Sequence, residues 1–165
     1  MVAIAAVWLA AAGLALPTLA LVLCAGVLAF GASRELKVSR RNRVGADSEA
    51  EVRRALKSLK RGGWSVRHGV GVRTGGDLDH LLRAPSGVGF VIETKTARYT
   101  QAHGTRTIHA ARRLARRRRR YPGGVVPVLC IVRARHLERV ENDALVVSLD
   151  RLLPALRAAA TARTR

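Results

Sequence analysis

The sequence predicts a mixed α/β domain, built as one sheet flanked by helices and preceded by an N-terminal transmembrane helix. Three observations predict this. The first 33 of the 165 residues contain no Asp, Glu, Lys, Arg or His, whereas the rest of the chain is densely charged. Helical and strand periodicities alternate along that charged part. Its length suits one domain with a single hydrophobic core.

The apolar N-terminal segment, residues 1–32, is long enough to cross a bilayer once. As a helix, the stretch from Val2 to Phe30 rises on the order of 40 Å, against a hydrocarbon core of roughly 30 Å. A hairpin broken at Pro17 would have two spans that are each too short. A cleaved signal peptide would carry a basic residue ahead of a shorter apolar run. A retained, single-pass membrane anchor is therefore expected.

A basic linker, residues 33–44, follows the anchor. Positive residues that flank a span stay on the cytoplasmic side, so the soluble domain is expected to face the cytoplasm. The net charge of +19 lies in the soluble part. Such a field predicts a polyanionic partner, either nucleic acid or anionic lipid. The oligomeric state has no signal in the sequence.

The first elements of the domain are a helix and a strand. Small and apolar residues at helical spacing predict a helix from Ala46 to Arg61, with Asp47 or Ser48 as its N-cap. The Gly62-Gly63 pair ends that helix. Strand-forming residues then predict a strand from Trp64 to Val72, which a Gly-rich loop follows.

A β-hairpin comes next, because two strand-like runs flank a turn sequence. The runs are Leu78 to Leu82 and Val88 to Thr96, and Ala84-Pro85-Ser86-Gly87 between them is typical of a tight turn. The last third of the chain predicts a basic amphipathic helix, two strands and a closing helix. Their predicted ranges are Gly104 to Arg120, Val125 to Val132, Ala144 to Ser148 and Leu149 to Ala160.

The hairpin brings together three charged side chains. Glu93 and Lys95 are two residues apart on one strand, so both leave the same face of the sheet. Antiparallel pairing across the turn places Asp79 opposite Glu93 or Thr94. Two carboxylates and one ammonium group are therefore expected to converge.

Convergent carboxylates resist ionisation, and a divalent cation removes that cost because both bind it through oxygen. Mg²⁺ or Mn²⁺ is the expected cofactor. An ion held in this way can activate water and neutralise the charge that develops on a phosphodiester. Lys95 would position that water. A cross-strand salt bridge without catalysis is the alternative interpretation.

Three motifs occur in a characteristic order. They are Gly45-Ala46-Asp47-Ser48-Glu49 at the start of a helix, Gly76-Asp77-Leu78-Asp79-His80, and Val91-Ile92-Glu93-Thr94-Lys95. Their order and spacing resemble the NERD (nuclease-related) domain, which belongs to the PD-(D/E)xK, restriction-endonuclease-like superfamily. The resemblance covers roughly Gly45 to Leu156. It implies a restriction-endonuclease-like mixed sheet in a domain of residues 45–160, followed by a basic tail of residues 161–165.

The resemblance also implies roles for individual residues. Asp79 and Glu93 would be metal ligands, Lys95 the catalytic lysine and Glu49 the acidic catalytic residue of the first helix. Glu51 is the alternative for that last role. His80 either supports the metal ligands or bonds within the core.

The sequence departs from the family pattern at two places. Ser48 stands where the family tends to have a second glycine, and the basic helix lacks the glutamine that many relatives in the superfamily place near the site. Gln101 is a poor substitute for that glutamine.

Other polar residues have simpler interpretations. Asp77 is expected to support a turn. The remaining histidines show no zinc-site spacing and are interpreted as surface or structural residues. They are His68, His103, His109 and His136.

The basic helix predicts contacts with phosphate groups, which add affinity without sequence information. The candidate nucleic-acid-binding residues are Arg112, Arg113, Arg116, Arg117, Arg119 and Arg120. The leading hypothesis is therefore a membrane-anchored, metal-dependent nuclease that acts on DNA or RNA with little sequence specificity. The alternative is a catalytically weak module that tethers nucleic acid or protein at the membrane. A structural membrane protein with a lipid-binding basic face would leave the hairpin residues unexplained.

Overall fold

The computed structural model describes residues 42–71 and 77–163, together with residues 24, 26–28, 30, 31, 34 and 40. The chain forms two compact units, residues 1–43 and residues 44–165. Most of the predicted membrane anchor and basic linker, and the predicted Gly75-Gly76 loop, lie outside the described residues. Within the described part of the chain, no helix is long and apolar enough to cross a bilayer.

Helix α1 comprises residues 42–60 and ends where the sequence predicts. Gly63 has a positive φ of 78°, a backbone conformation that glycine adopts without steric cost. The predicted start is wrong, because residues ahead of Ala46 are already helical. Asp47 and Ser48 therefore lie inside the helix and do not cap it. The Ser48 hydroxyl donates instead to the Val44 carbonyl at 2.9 Å, one turn back.

The described residues form a sheet of six strands in the order β1-β2-β3-β4-β6-β5. The strands are β1 Ser65–Gly71, β2 Asp77–Arg83, β3 Gly89–Lys95, β4 Val125–Ile131, β5 Glu138–Glu141 and β6 Ala144–Ser148. The pairs β3-β4 and β4-β6 are parallel, and the outer pairs are antiparallel. Every residue of β4 is buried, as its apolar run predicts. The mixed α/β fold is thus confirmed.

Strand β5 is absent from the sequence prediction. Its residues are mostly exposed and charged, with none of the apolar alternation that marks a half-buried strand. It pairs with β6 through a two-residue turn, and both turn residues, Asn142 and Asp143, have positive φ values of 48° and 66°. A two-residue turn with positive φ at both positions has a backbone twist that matches the right-handed twist of the two strands it joins. A charged, short edge strand also resists pairing with other chains.

Two further helices complete the domain: α2, Gln101–Ala115, and α3, Leu149–Ala162. The predicted α2 started three residues too late and ran five residues too far. The chain leaves the helix at Arg116, because a run of five like charges opposes continued helix and Tyr121 is buried beyond it. Arg118, Arg119 and Arg120 lie in a turn.

The sheet separates two apolar clusters. On one face, Phe90 and Ile92 pack with residues of α1 and α3, including Leu56 and Leu152. The other face carries the cluster of Leu81, Val91, Ala110 and Ala111, so it packs against α2. Successive residues of β3 point to opposite faces. Glu93 and Lys95 therefore belong to the α2 face, with Val91.

Candidate active site

The β2-β3 hairpin forms as the sequence predicts and places Asp79 next to Glu93. The ladder pairs His80 with Ile92, so the adjoining position sets Asp79 opposite Glu93. This is the first of the two registers that the sequence leaves open. The Thr94 N–H donates to Oδ2 of Asp79 at 2.7 Å, which holds the carboxylate against the end of β3.

The Asp79 carboxyl lies in an environment that disfavours its charge. Burial, first of all, and the nearby Glu93 and Glu49 carboxylates raise its pKa from 3.8 to about 6. The hydrogen bond from Thr94 and the charge of Lys95 oppose this rise without cancelling it. A carboxyl that resists ionisation next to other carboxylates is a characteristic of divalent cation sites.

Lys95 is the immediate counter-ion of Glu93. Its Nζ donates to Oε1 of Glu93 at 2.7 Å, and the two side chains are only 24% and 11% exposed. A charge-assisted hydrogen bond of this length holds the ammonium group against the Glu93 carboxylate. The predicted convergence of Asp79, Glu93 and Lys95 is thus present on one face of the hairpin.

Helix α1 contributes a third carboxylate, from Glu49. Its charge is one of the causes that raise the pKa of Asp79. The hydroxyls of Ser48 and Thr96 are 3.0 Å apart, and this bond fixes the start of α1 against the end of β3. Ser48 thus has a definite positioning contact where the family pattern has glycine. Glu51 lies elsewhere, since its Oε1 accepts from Arg133 at 2.9 Å.

Glu49 and Glu51 form a matched pair for a test of metal binding. We expect Glu49→Gln to weaken Mn²⁺ binding by about tenfold, in the range seen when a residue that supports a metal site is lost. Glu51→Gln should leave it unchanged, because Glu51 pairs with an exposed arginine. Isothermal titration of both variants with Mn²⁺ measures this. Equal losses, or no loss in Glu49→Gln, would contradict the assignment of Glu49.

His80 has a structural role on the opposite face from Asp79. It is fully buried. Its Nδ1 lies 2.8 Å from Nδ1 of His68, and its Nε2 lies 3.3 Å from Oγ1 of Thr94. Burial, chiefly, lowers its pKa to about 4, so the ring is neutral at ordinary pH. Of its two predicted roles, bonding within the core is the one its contacts fit. Through Thr94 it steadies the backbone that holds Asp79.

His103 is a candidate that the sequence analysis missed. It lies in the first turn of α2, where its Nδ1 accepts from the Thr100 N–H at 3.0 Å. In a neutral ring the proton is then on Nε2. Burial and the charge of Lys95 lower its pKa, while Glu93 acts in the opposite direction, so the imidazole lies in the field of the hairpin residues. The Thr-x-x-His spacing ahead of the helix is the signal that could have indicated it.

Two predicted residues stand apart from this cluster. Asp77 is exposed and begins β2 opposite Gly71. Gln101 is exposed and opens α2. Neither has a described contact with Glu93 or Lys95.

The donor set suits a hard cation that keeps part of its water shell. Asp79 and Glu93 supply carboxylate oxygens on neighbouring strands, and Mg²⁺ commonly binds through one or two carboxylates with water and phosphate completing its shell. Within the described residues, no group of three or more His, Cys, Asp or Glu side chains is arranged so that it could hold a metal ion, so Asp79 and Glu93 would share the ion with water and phosphate. Soft or structural zinc chemistry is therefore a poor match to these residues.

The six arginines predicted to bind nucleic acid differ in their surroundings. Arg112 makes an exposed ion pair with Asp143 at 3.4 Å. Arg116 and Arg119 are exposed in the region that follows α2. Other members of the set line a groove beside β1 and β2. They are Arg113, Arg117 and Arg120.

Comparison with known proteins identifies a family. A family model described as the nuclease-related domain, NERD, matches residues 44–147, which is more than half of the 165-residue chain. The matched range contains the cluster on the hairpin and most of α1, including Glu49. The match confirms the resemblance that the three motifs predict. No curated protein and no solved structure matched the chain.

Proposed function

Because the chain belongs to the nuclease-related domain (NERD) family, we propose that it is a metal-dependent phosphodiester hydrolase that cleaves DNA or RNA. The observation that carries the proposal is the convergence of Asp79 and Glu93 next to Lys95, with the Asp79 pKa raised to about 6. A structural ion pair would need one carboxylate for one lysine. The second carboxylate, from Asp79, has no lysine partner and is left to bind a cation together with Glu93.

In this proposal Asp79 and Glu93 hold Mg²⁺ or Mn²⁺. The bound ion supplies an activated water and neutralises charge on the phosphodiester. The Thr94 N–H keeps Asp79 oriented toward Glu93. The Lys95 ammonium lies 2.7 Å from Glu93, so it can stabilise negative charge that develops on a phosphate seated at the carboxylates. The Nε2–H of His103 is a further donor on the same side of the sheet.

The proposal includes a cellular location for the protein. The apolar N-terminal segment would anchor the protein in the membrane, with the nuclease domain on the cytoplasmic side beside its basic linker. Retention of the full chain in the membrane pellet after an alkaline carbonate wash tests this anchoring. Release into the supernatant would contradict it.

The direct test of the activity uses the full chain in a neutral detergent. We expect it to cleave plasmid DNA or RNA with Mg²⁺ or Mn²⁺ and to lose cleavage in EDTA. Glu93→Gln should lower the rate at least tenfold, because it removes one of the carboxylate ligands. Glu138→Gln is the matched control, since Glu138 pairs with Arg151 at the other edge of the sheet. Cleavage that persists in EDTA or in Glu93→Gln would refute the proposal.

A second candidate function is a catalytically weak module that binds nucleic acid or protein at the membrane. The close Lys95-Glu93 pair favours it, because an ammonium group at 2.7 Å already neutralises one of the two hairpin carboxylates. Retained DNA or RNA binding, with no cleavage in any metal and no calorimetric signal for Mn²⁺, would support this candidate over the first.

A further inference from the structure

A groove lies between the surface of β1 and β2 and the C-terminal half of α2. It encloses about 370 Å³, the size of a small-ligand site. Its apolar floor includes Leu78 and Leu81, which are buried, and Leu114, which is partly buried. Exposed guanidinium groups form its rim. They belong to Arg67, Arg113, Arg117 and Arg120.

Among the described residues, no acidic side chain neutralises the charge of the rim. None of the described residues that line the groove is acidic. Arg67, Arg113 and Arg117 make no ion pair with any described residue, in contrast to Arg112 with its Asp143 partner. Arg120 lies over the ring of Tyr121, 5.8 Å from its centroid. The groove therefore presents unpaired positive charge above an apolar surface.

The groove lies on the same face of the sheet as the candidate active site. Leu81 on its floor and Asp79 are two residues apart in β2, so their side chains leave the same face about 7 Å apart along the strand. Helix α2 also runs from the candidate active site toward the groove. His103 at the site and Ala110 in the groove are seven residues apart, which places them on one side of the helix about 10 Å apart along its axis.

We propose that this groove seats an unpaired nucleotide, so that the substrate of the hairpin site is a single-stranded or locally unpaired nucleic acid; this inference rests on the proposed nuclease function. The arginines hold the phosphates, and the apolar floor contacts the face of the base. In a duplex the base faces are stacked inside the helix and cannot reach such a floor. A site of about 370 Å³ has the size for one nucleotide.

Binding is measured by fluorescence anisotropy with the full chain in neutral detergent and EDTA, where no metal-dependent cleavage occurs. The probes are labelled DNA and RNA strands of about 12 nucleotides, within the usual site size, and duplexes of the same sequences. The single strands should bind at least tenfold more tightly than the duplexes. Equal binding, or tighter binding of the duplexes, would overturn the proposal.

Two variants and one control locate the binding. Arg67→Gln with Arg117→Gln should weaken single-strand binding at least tenfold and lower the slope of log affinity against log salt by about 1.4. Leu114→Asn, which keeps the side-chain length and makes the end of the side chain polar, should reduce the preference for single strands. Arg54→Gln with Arg157→Gln removes the same charge from α1 and α3 and should leave the preference intact. If both double variants lose single-strand affinity to the same extent, the effect is one of general charge, and the proposal is overturned.

The outcomes separate this inference from the nuclease proposal. Glu93-dependent cleavage, with single-strand binding unaffected by the groove variants, would overturn the groove assignment and leave the activity standing. Groove-dependent binding of single strands without cleavage in any metal would support the groove and reject the hydrolase. Unchanged circular dichroism and thermal unfolding of each variant excludes a folding defect as the cause.

Discussion

Replacement of Lys95 by methionine is expected to lower nucleic-acid cleavage about 10²- to 10³-fold, the usual loss when one group that stabilises transition-state charge is removed. Methionine keeps the apolar stem of the side chain and removes the ammonium group. The binding of Mn²⁺ should be retained or become tighter, because Glu93 loses the positive charge that lies 2.7 Å from it. Cleavage rates at saturating Mn²⁺, and isothermal titration with Mn²⁺, measure the two effects separately.

The matched control is Lys57→Met, at an exposed position of α1. It removes the same charge at a distance from the hairpin and should retain the native rate. If Lys95→Met cleaves within a few-fold of the native rate, Lys95 is only the counter-ion of Glu93. If instead Lys95→Met loses Mn²⁺ binding, the lysine supports the geometry of the carboxylates and does not act on the phosphate.

Replacement of Asp79 by asparagine is expected to stabilise the metal-free protein at about pH 8, by about 1 to 2 kcal/mol. Its folded pKa of about 6 lies above the ordinary value of 3.8, so the folded state holds this proton more tightly than the unfolded state does. The resulting penalty is absent below pH 3.8, grows between the two values and is constant above about 6. A full two-unit shift corresponds to about 3 kcal/mol, and partial exposure reduces it.

Thermal unfolding of both proteins in EDTA across this pH range measures the effect. His80 gives a second pH dependence, because its folded pKa of about 4 lies below 6.5 and stability is lost as pH falls between those values. That loss occurs in both proteins, so the difference between their curves isolates Asp79. If the difference in unfolding temperature between Asp79→Asn and the native protein does not grow as the pH rises, the raised pKa of Asp79 is contradicted.

Saturating Mn²⁺ should make the native protein more stable than Asp79→Asn, which is the reverse of the order expected without metal. A ligand that binds only the folded state stabilises it, and Asp79→Asn removes a charged oxygen ligand. Native protein should then unfold at a higher temperature than the variant. Such a reversal is characteristic of a site in which repulsion between carboxylates is retained for binding. A variant that remains the more stable protein in Mn²⁺ would contradict the assignment of Asp79 as a ligand.

Local sequence patterns predicted the hairpin because its signals are short-range. The turn at Ala84-Pro85-Ser86-Gly87 has Gly87 at a positive φ of 82°, and its position limited the pairing of Asp79 to two partners. The structure selects Glu93 because the complete ladder from Arg83 to His80 determines the register. The sequence did not predict strand β5, because its side chains are exposed at the edge of the sheet and show no apolar alternation.

The sequence by itself determined the family, the alternation of helices and strands, and the common face of Glu93 and Lys95, since these depend on motif order and on the two-residue period of a strand. Only the tertiary structure decided that Glu51 pairs with Arg133 while the charge of Glu49 acts on Asp79, that Lys95 and Glu93 act on the pKa of His103, and which arginines border a groove. The physical reason is distance along the chain. Contacts between α1, β3 and α2 depend on how separate elements pack against the sheet, and no local periodicity records that packing.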